Sequence, residues 1–515
     1  MGMRLAGAGA SARRRMARLH VHMRPGWFPA ALLLAALLLP AGGWLPAPGG
    51  GWASAAAPSA AAEAAPAARA LRVESIAFRG QWKTREALLA RTLALAPGDA
   101  VDAAALAAAR ARLVETGWFD AVDVSAEPGS ERGLLRVLVS LRERQRPYLD
   151  TGFGFRDPEG WYLTLVGLRV ENPVGLGGRA TAGLQLGFRT AGAEAEWLQP
   201  LTAGGALAAR LRLRIQNEKL LWYENEPGWI GLYDEHRLDL ERAEAALSLI
   251  ARPRRPLALE LGLSAASVEP EAEGENRDTD AEIPPYRLPP AFQAETGRRQ
   301  LTGALVGLTL GEGGLNGAPG ASLSLRGRIA SEVLGAEADY ARWTFAARGT
   351  VALPPGHRLA LGLRGGWVGE RAPYYERFRL GGSYSLRGFR DHSLSPPEGH
   401  DGFFSGALEY RVPLLAARRG LGDEERGDGR GASRGRNGER LSALAFADAG
   451  RGWLERAGAL AEPDVDYEEW QLGAGYGLRL TLPWLGTLGL DVGFPVTAGI
   501  TGEPVWVYLT LGHSF

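Results

Sequence analysis

The sequence predicts a mainly β protein: a roughly 16-stranded antiparallel transmembrane β-barrel preceded by one small α+β domain. Three observations predict it. From 147 to 515, segments of about ten residues alternate apolar and polar side chains, with charge on the second face. Ahead of them, 71–146 reads strand, helix, helix, strand, strand. At the start stands an arginine-rich stretch, a short apolar run and a small-residue cleavage site, the order of an export signal.

Composition narrows the chemistry. The 515-residue chain has no cysteine, so disulfides, thiolate metal sites, cysteine nucleophiles and a lipidated cysteine anchor are excluded. Its 71 glycines follow no triplet period and suit turns or strands with small inward side chains. Lys83 and Lys219 are the only lysines. Six arginines and no acid precede Ala55, so the chain beyond it has 52 basic residues against 58 acidic, a net charge of −6. That balance argues against nucleic acid as a partner. No serine-centred nucleophile elbow, zinc-type histidine pair or phosphate loop is present, so the sequence calls for no catalytic residue, no metal and no cofactor.

Residues 1–55 form the expected signal peptide: Arg13, Arg14, Arg15, Arg18 and Arg24, then the apolar run 30–39, then Ala53-Ser54-Ala55. The long basic start leaves Met16 or Met23 as alternative first residues. An uncleaved anchor is the competing reading. The Ala/Pro-rich stretch 56–70 is a tether. No later window holds a run of ~18 apolar residues, so helical spans are not expected.

In 71–146 an alternating strand ends at Gly80. Thr84 is a candidate N-cap for a helix through Leu95. Asp102 is a candidate cap for a second helix, which Gly117 ends, and strands follow at 119–124 and 134–141. With Gly117-Trp118-Phe119-Asp120-Ala121-Val122 at the junction, this order resembles a POTRA domain, the periplasmic module of outer-membrane assembly proteins. The resemblance implies that a strand edge, here 121–127, captures extended client segments by strand addition. A module that only folds and spaces is the alternative.

The barrel strands start near Tyr148, Trp161, Arg179, Ala193, Ala206, His236, Pro256, Arg299, Ala321, Asp339, His357, Phe403, Leu441, Glu469, Gly486 and Pro504. Leu211, Leu213 and Ile215 oppose Arg210, Arg212 and Arg214; Leu325 and Ile329 oppose Arg326 and Arg328. Such alternation fits a lipid-facing outside and a wet lumen. Soluble sandwiches alternate too, and it is the leader and the last strand that favour the barrel. With the first strand rising from the periplasm, the long connections 218–235, 269–297, 371–402 and 451–468 all fall outside. The exception, 416–440, is charged and Gly-rich and is expected to be a disordered periplasmic insertion.

Within 371–402 lies Leu380-Gly381-Gly382-Ser383-Tyr384-Ser385-Leu386-Arg387-Gly388-Phe389. Glu409 and Asp448 have the parity to face inward, so a loop folded into the lumen would bring Arg387 to two carboxylates. These residues, followed by Glu409-x-Arg411-x-Pro413, Phe446-x-Asp448-x-Gly450, Gly473-x-Gly475-x-Gly477-x-Arg479, Asp491-x-Gly493-x-Pro495 and the terminal Phe515, stand in the order seen in BamA/TamA-type outer-membrane assembly proteins, the bacterial surface antigen superfamily. The chain resembles that superfamily over nearly all of 71–515, with one POTRA-like module. The resemblance implies a lumen-loop lock of Arg387, Gly388, Phe389, Gly381 and Gly382 against Glu409 and Asp448. It also implies a C-terminal barrel signal in Phe515, Leu511 and Leu509, and a lateral seam at the first strand, where Gly152 and Gly154 weaken pairing.

The function expected is outer-membrane protein insertion or polypeptide translocation, without enzymatic chemistry. The expected partners are outer-membrane lipid, an unfolded barrel-protein or secreted polypeptide client, and a periplasmic or accessory membrane protein. Two alternatives remain open: a passive diffusion pore whose arginine-rich lumen favours anions, and a partner-specific secretion transporter. A receptor using the outer loops is a third class.

Overall fold

The computed structural model describes residues 71–511 other than 157–159, 203–204, 226–232, 278, 312–319, 417–438, 456–465, 483–485 and 498–503. The expected leader, the tether, most of the charged insertion and Phe515 lie outside the described residues.

The module consists of β1 (Arg72–Arg79), α1 (Glu86–Leu93), α2 (Ala103–Glu115), β2 (Phe119–Pro128) and β3 (Leu134–Glu143). Its sheet has the order β1-β3-β2, parallel between β1 and β3 and antiparallel between β3 and β2. Both helices bury one side on the sheet; Leu89, Leu93, Ala109 and Leu113 meet Val73, Val137 and Val139, all nearly inaccessible. Asp102 caps α2 by accepting from the Ala105 N–H at 2.7 Å. Thr84 does not cap α1, which starts at Glu86 with no side-chain cap. Thr84 is buried instead: its N–H donates to Glu143 Oε1 at 2.8 Å and its hydroxyl accepts from Asn172 Nδ2 at 2.9 Å. A contact with the barrel takes the hydroxyl that local geometry would have turned to the helix.

The barrel begins with β4 (Tyr148–Leu149) and β5 (Gly152–Arg156), one interrupted strand. There follow β6 (Gly160–Glu171), β7 (Arg179–Gly187), β8 (Thr190–Pro200), β9 (Leu207–Asn225), β10 (Tyr233–Arg254) and β11 (Leu257–Pro270). An outer excursion then carries the hairpin β12 (Gly274–Asn276) and β13 (Ala281–Ile283) and the short helix α3 (Pro290–Ala294). The wall continues with β14 (Arg299–Leu310), β15 (Gly320–Ala330), β16 (Tyr340–Leu353), β17 (His357–Val368), β18 (Gly402–Ala416), β19 (Glu439–Trp453), β20 (Gln471–Leu482), β21 (Gly486–Pro495) and β22 (Trp506–Leu511). Counting β4 with β5 and leaving out the β12–β13 hairpin, the described residues form sixteen wall strands, with the last returning beside the first.

Alternation makes the wall two-faced. Leu211, Leu213, Ile215, Leu247, Leu261 and Leu509 are exposed outward, whereas Arg242, Glu409, Asp448 and Asp491 on the other face are buried. An apolar exterior around a charged interior inverts the soluble pattern and suits lipid. Among the described residues, no helix is long and apolar enough to cross a membrane.

One expected loop is mostly strand. The outer connection 218–235 shrinks because β9 and β10 stay paired from Leu207↔Ala251 up to Asn225↔Tyr233. Leu220, Trp222, Leu238 and Leu240 on this extension are buried against the loop inside the barrel. Burial of one face sustains strand structure across a stretch that the sequence placed in a connection.

Candidate functional site

The loop between β17 and β18 folds into the lumen rather than over solvent. Tyr374, Phe378, Leu380, Leu386, Phe389 and Leu394 are all buried in one apolar cluster with the inner faces of β9, β10 and β11. Phe292 of α3 stacks on Tyr374 with ring centroids 4.3 Å apart, so the outer excursion covers the loop from above.

At the loop tip, Arg387 is 1% exposed. Its Nε and Nη2 each donate to Asp448 at 2.8 Å, to Oδ2 and Oδ1. Its Nη1 donates to Glu409 Oε1 at 2.6 Å and, more weakly, to Asp491 Oδ2 at 3.4 Å. The guanidinium lies over the Phe446 ring at 3.6 Å. Two further arginines share the acids: Arg411 Nε donates to Glu409 Oε2 at 2.8 Å and Arg479 Nη2 to Asp491 Oδ2 at 2.8 Å. Arg387, Arg411 and Arg479 thus balance Glu409, Asp448 and Asp491. A buried guanidinium is tolerated only with such saturation, because removing one partner strands an unpaired charge.

Glycines let the tip approach the wall. Gly388 has φ +102°, and a Cβ there would lie 2.8 Å from Phe494 O. On the wall, a Cβ at Gly473 would lie 1.8 Å from Arg387 O. Gly381 and Gly382, with φ +106° and +98°, turn the loop back on itself, where the Gly382 N–H donates to Phe389 O at 3.0 Å.

At the seam, Gly152 pairs with Thr164 and Gly154 with Tyr162. Among the described residues the first strand is interrupted between β4 and β5, and β22 is described from Trp506 to Leu511. Leu509 is 68% exposed on the outward face, and Leu511 pairs with Leu488 at the end of β22.

Comparison with protein families matches the Omp85 superfamily domain over residues 172–515 and the surface antigen variable number repeat, a POTRA domain, over 71–144. The chain belongs to the Omp85 superfamily. Among solved structures it is similar to BamA from Haemophilus ducreyi lacking POTRA domains 1–3: 16% identity, TM-score 0.62, covering 86% of this chain and 84% of that one. CdiB from Acinetobacter baumannii also matches at 16% identity and TM-score 0.48, over 85% of this chain and 73% of that chain. At such identities the likeness is one of fold. No curated protein matches by sequence. As an Omp85 protein the chain resides in the outer membrane with its POTRA domain in the periplasm, in a family of outer-membrane assembly and secretion transport.

The Omp85 loop has a second anchor that the sequence reading missed. Glu376 is buried; Arg242 Nη1 donates to its Oε1 at 2.9 Å and Arg342 Nε to its backbone carbonyl at 2.8 Å. Arg328 stands 3.5 Å from the same carboxylate. Burial pushes the Glu376 pKa up, but Arg242, Arg328 and Arg342 outweigh it and hold it at about 2. Nothing local marks Glu376, because its partners lie on three separate strands. Arg411, Arg479 and Asp491 were visible as motif residues, but their place in the charge cluster was not.

Proposed function

We propose that the protein moves polypeptide clients into or across the outer membrane. The POTRA domain takes up an extended segment, and the seam between β5 and β22 receives it. The observation that carries this reading is a barrel whose lumen is filled by a pinned loop and whose last strand closes beside an interrupted first strand. An interrupted first strand has fewer backbone hydrogen bonds to break, and a parted edge templates a client strand by pairing. β2 is an edge of the module's sheet, since the order is β1-β3-β2, and so offers 121–127 for strand addition. The cycle exchanges hydrogen bonds and breaks no covalent bond, so no catalytic residue or cofactor has a part in it.

The lumen speaks against an anion pore. Arg210, Arg212, Arg214 and Arg328 each have a carboxylate partner, in Glu260, Glu196, Glu244 and Glu244 respectively, whereas Arg326 forms no ion pair among the described residues. The four paired arginines leave a weaker field for selecting anions than the count of arginines alone suggests.

The test is a set of cysteine pairs between Gly152–Arg156 and Trp506–Leu511 in this cysteine-free chain. Disulfide closure of the seam is expected to abolish client insertion or secretion, and reduction to restore it. Full function with the seam shut would overturn the proposal.

A further inference from the structure

The loop tip does more than sit in the wall: it touches strands on both sides of the seam. On one side, Tyr508 of β22 is buried, and its hydroxyl donates to Phe389 O at 2.7 Å and accepts from the Gly388 N–H at 2.9 Å. Two residues along β22, the Trp506 ring lies 5.3 Å below the Arg390 guanidinium. On the other side, the Asp391 carboxylate is 3.2 Å from Arg189 Nη1 in the outer turn between β7 and β8. The Asp391 carbonyl accepts from Tyr223 Oη of β9 at 2.5 Å. Arg390 Nε is 3.3 Å from Glu235 of β10. Consecutive residues Phe389, Arg390 and Asp391 therefore bridge the last strand of the barrel to its first third, across the line where β22 meets the interrupted first strand β4–β5.

We infer that Arg390-Asp391 is a clasp across the seam, with Tyr508 and Arg189 as the positioning residues that hold its two ends. The inference rests on the seam mechanism proposed above and names what governs it. While both ends hold, β22 is tied to the wall from β7 to β10, to which β5 is hydrogen-bonded through β6, and its parting from β5 is restrained. Either the Tyr508 hydroxyl leaves the loop backbone, or the loop follows β22 and Asp391 is drawn from Arg189 and Tyr223. The contacts are a few polar bonds that can be broken and remade one at a time, so they suit reversible release better than the apolar cluster deeper in the loop does. Releasing the clasp leaves the Arg387 cluster intact. The clasp therefore governs the opening of the seam, and Arg387 governs whether the loop is in place at all.

The test uses the full-length protein in phospholipid vesicles, with nitroxide labels at Phe153→Cys and Val507→Cys reporting the distance between β5 and β22. Heat-modifiable gel migration confirms that each variant is a folded barrel. Tyr508→Phe, which keeps the ring and removes a hydroxyl that makes two hydrogen bonds, and Arg189→Gln are each expected to raise the population of the longer distance by at least about fivefold, the shift that a single lost hydrogen bond produces. Arg189→Lys is expected to keep the short distance. Unchanged distance distributions in both Tyr508→Phe and Arg189→Gln would overturn the clasp, as would Arg189→Lys opening as far as Arg189→Gln. Client insertion is measured in parallel. A seam that opens in these variants with client handling unaltered supports the clasp and overturns the seam mechanism; a seam that does not move overturns the clasp alone.

Discussion

Arg387 is a buried cation held by geometry as much as by charge. Its planar fork meets Asp448 edge-on with two parallel bonds, and its remaining nitrogen reaches Glu409. A lysine ammonium donates three bonds from one nitrogen but cannot form the parallel fork to Asp448 and reach Glu409 from a separate edge, so Arg387→Lys should undock the tip nearly as fully as Arg387→Ala. Removing one member of such a buried cluster costs about 3–5 kcal/mol, less where lumen water reaches the site. Gly473→Ala separates the two components, since it leaves every charge in place and puts a methyl where Arg387 O stands. All three variants should show higher and noisier single-channel conductance and a lower temperature of unfolding on gels. Normal conductance in Gly473→Ala would mean that the wall yields to the loop. Glu409 and Asp448 were legible from strand parity because a strand assigns faces by counting residues. Tyr508 was not, since its partners are backbone atoms of a distant loop.

As an element, the loop behaves as a strap anchored at its start by Glu376 and at its tip by Arg387. The start anchor carries a pH dependence. The folded pKa of Glu376, about 2, lies below its ordinary 4.5. Its contribution to stability is therefore full above about 4.5 and declines as pH falls from there towards 2. Acidification through that window should release the first half of the loop, seen as faster proteolysis near 371–376. Glu376→Gln should abolish the pH dependence and be already cleaved at neutral pH. The β9–β10 hairpin carries the complementary lesson. Its upper half read as loop from the sequence because the side chains that bury Trp222 and Leu238 come from the strap and from α3. Local alternation was present, but what covers it is remote in sequence.

In the whole molecule, the POTRA domain is joined to the barrel by more than the chain between them. Tyr148 Oη donates to Gly117 O at 2.8 Å. The turn between β6 and β7 reaches down to α1, where the Arg85 N–H donates to Gly175 O at 3.2 Å and Asn172 Nδ2 to Thr84 Oγ1 at 2.9 Å. Asn172 is fully buried and also accepts from the Gly177 N–H at 2.7 Å. Asn172→Ala should cost about 1–3 kcal/mol at this joint, leaving Thr84 and Gly177 unsatisfied. The expected readout is faster hydrogen exchange in α1 and in the turn, with the barrel strands unaffected; protection equal to the parent would mean that the joint rests on other contacts. The strand count, the faces of the wall and the two acids that meet Arg387 were decided by local alternation, because a period of two assigns every side chain to lipid or lumen wherever the strand lies. The route of the loop, the Glu376 anchor, the cross-seam contacts and the joint between domains were settled only by closing the sheet into a cylinder. Closure brings the last strand back beside the first and sets 371–402 against the last strand and against β9 and β10, and no pattern confined to neighbouring residues carries that information.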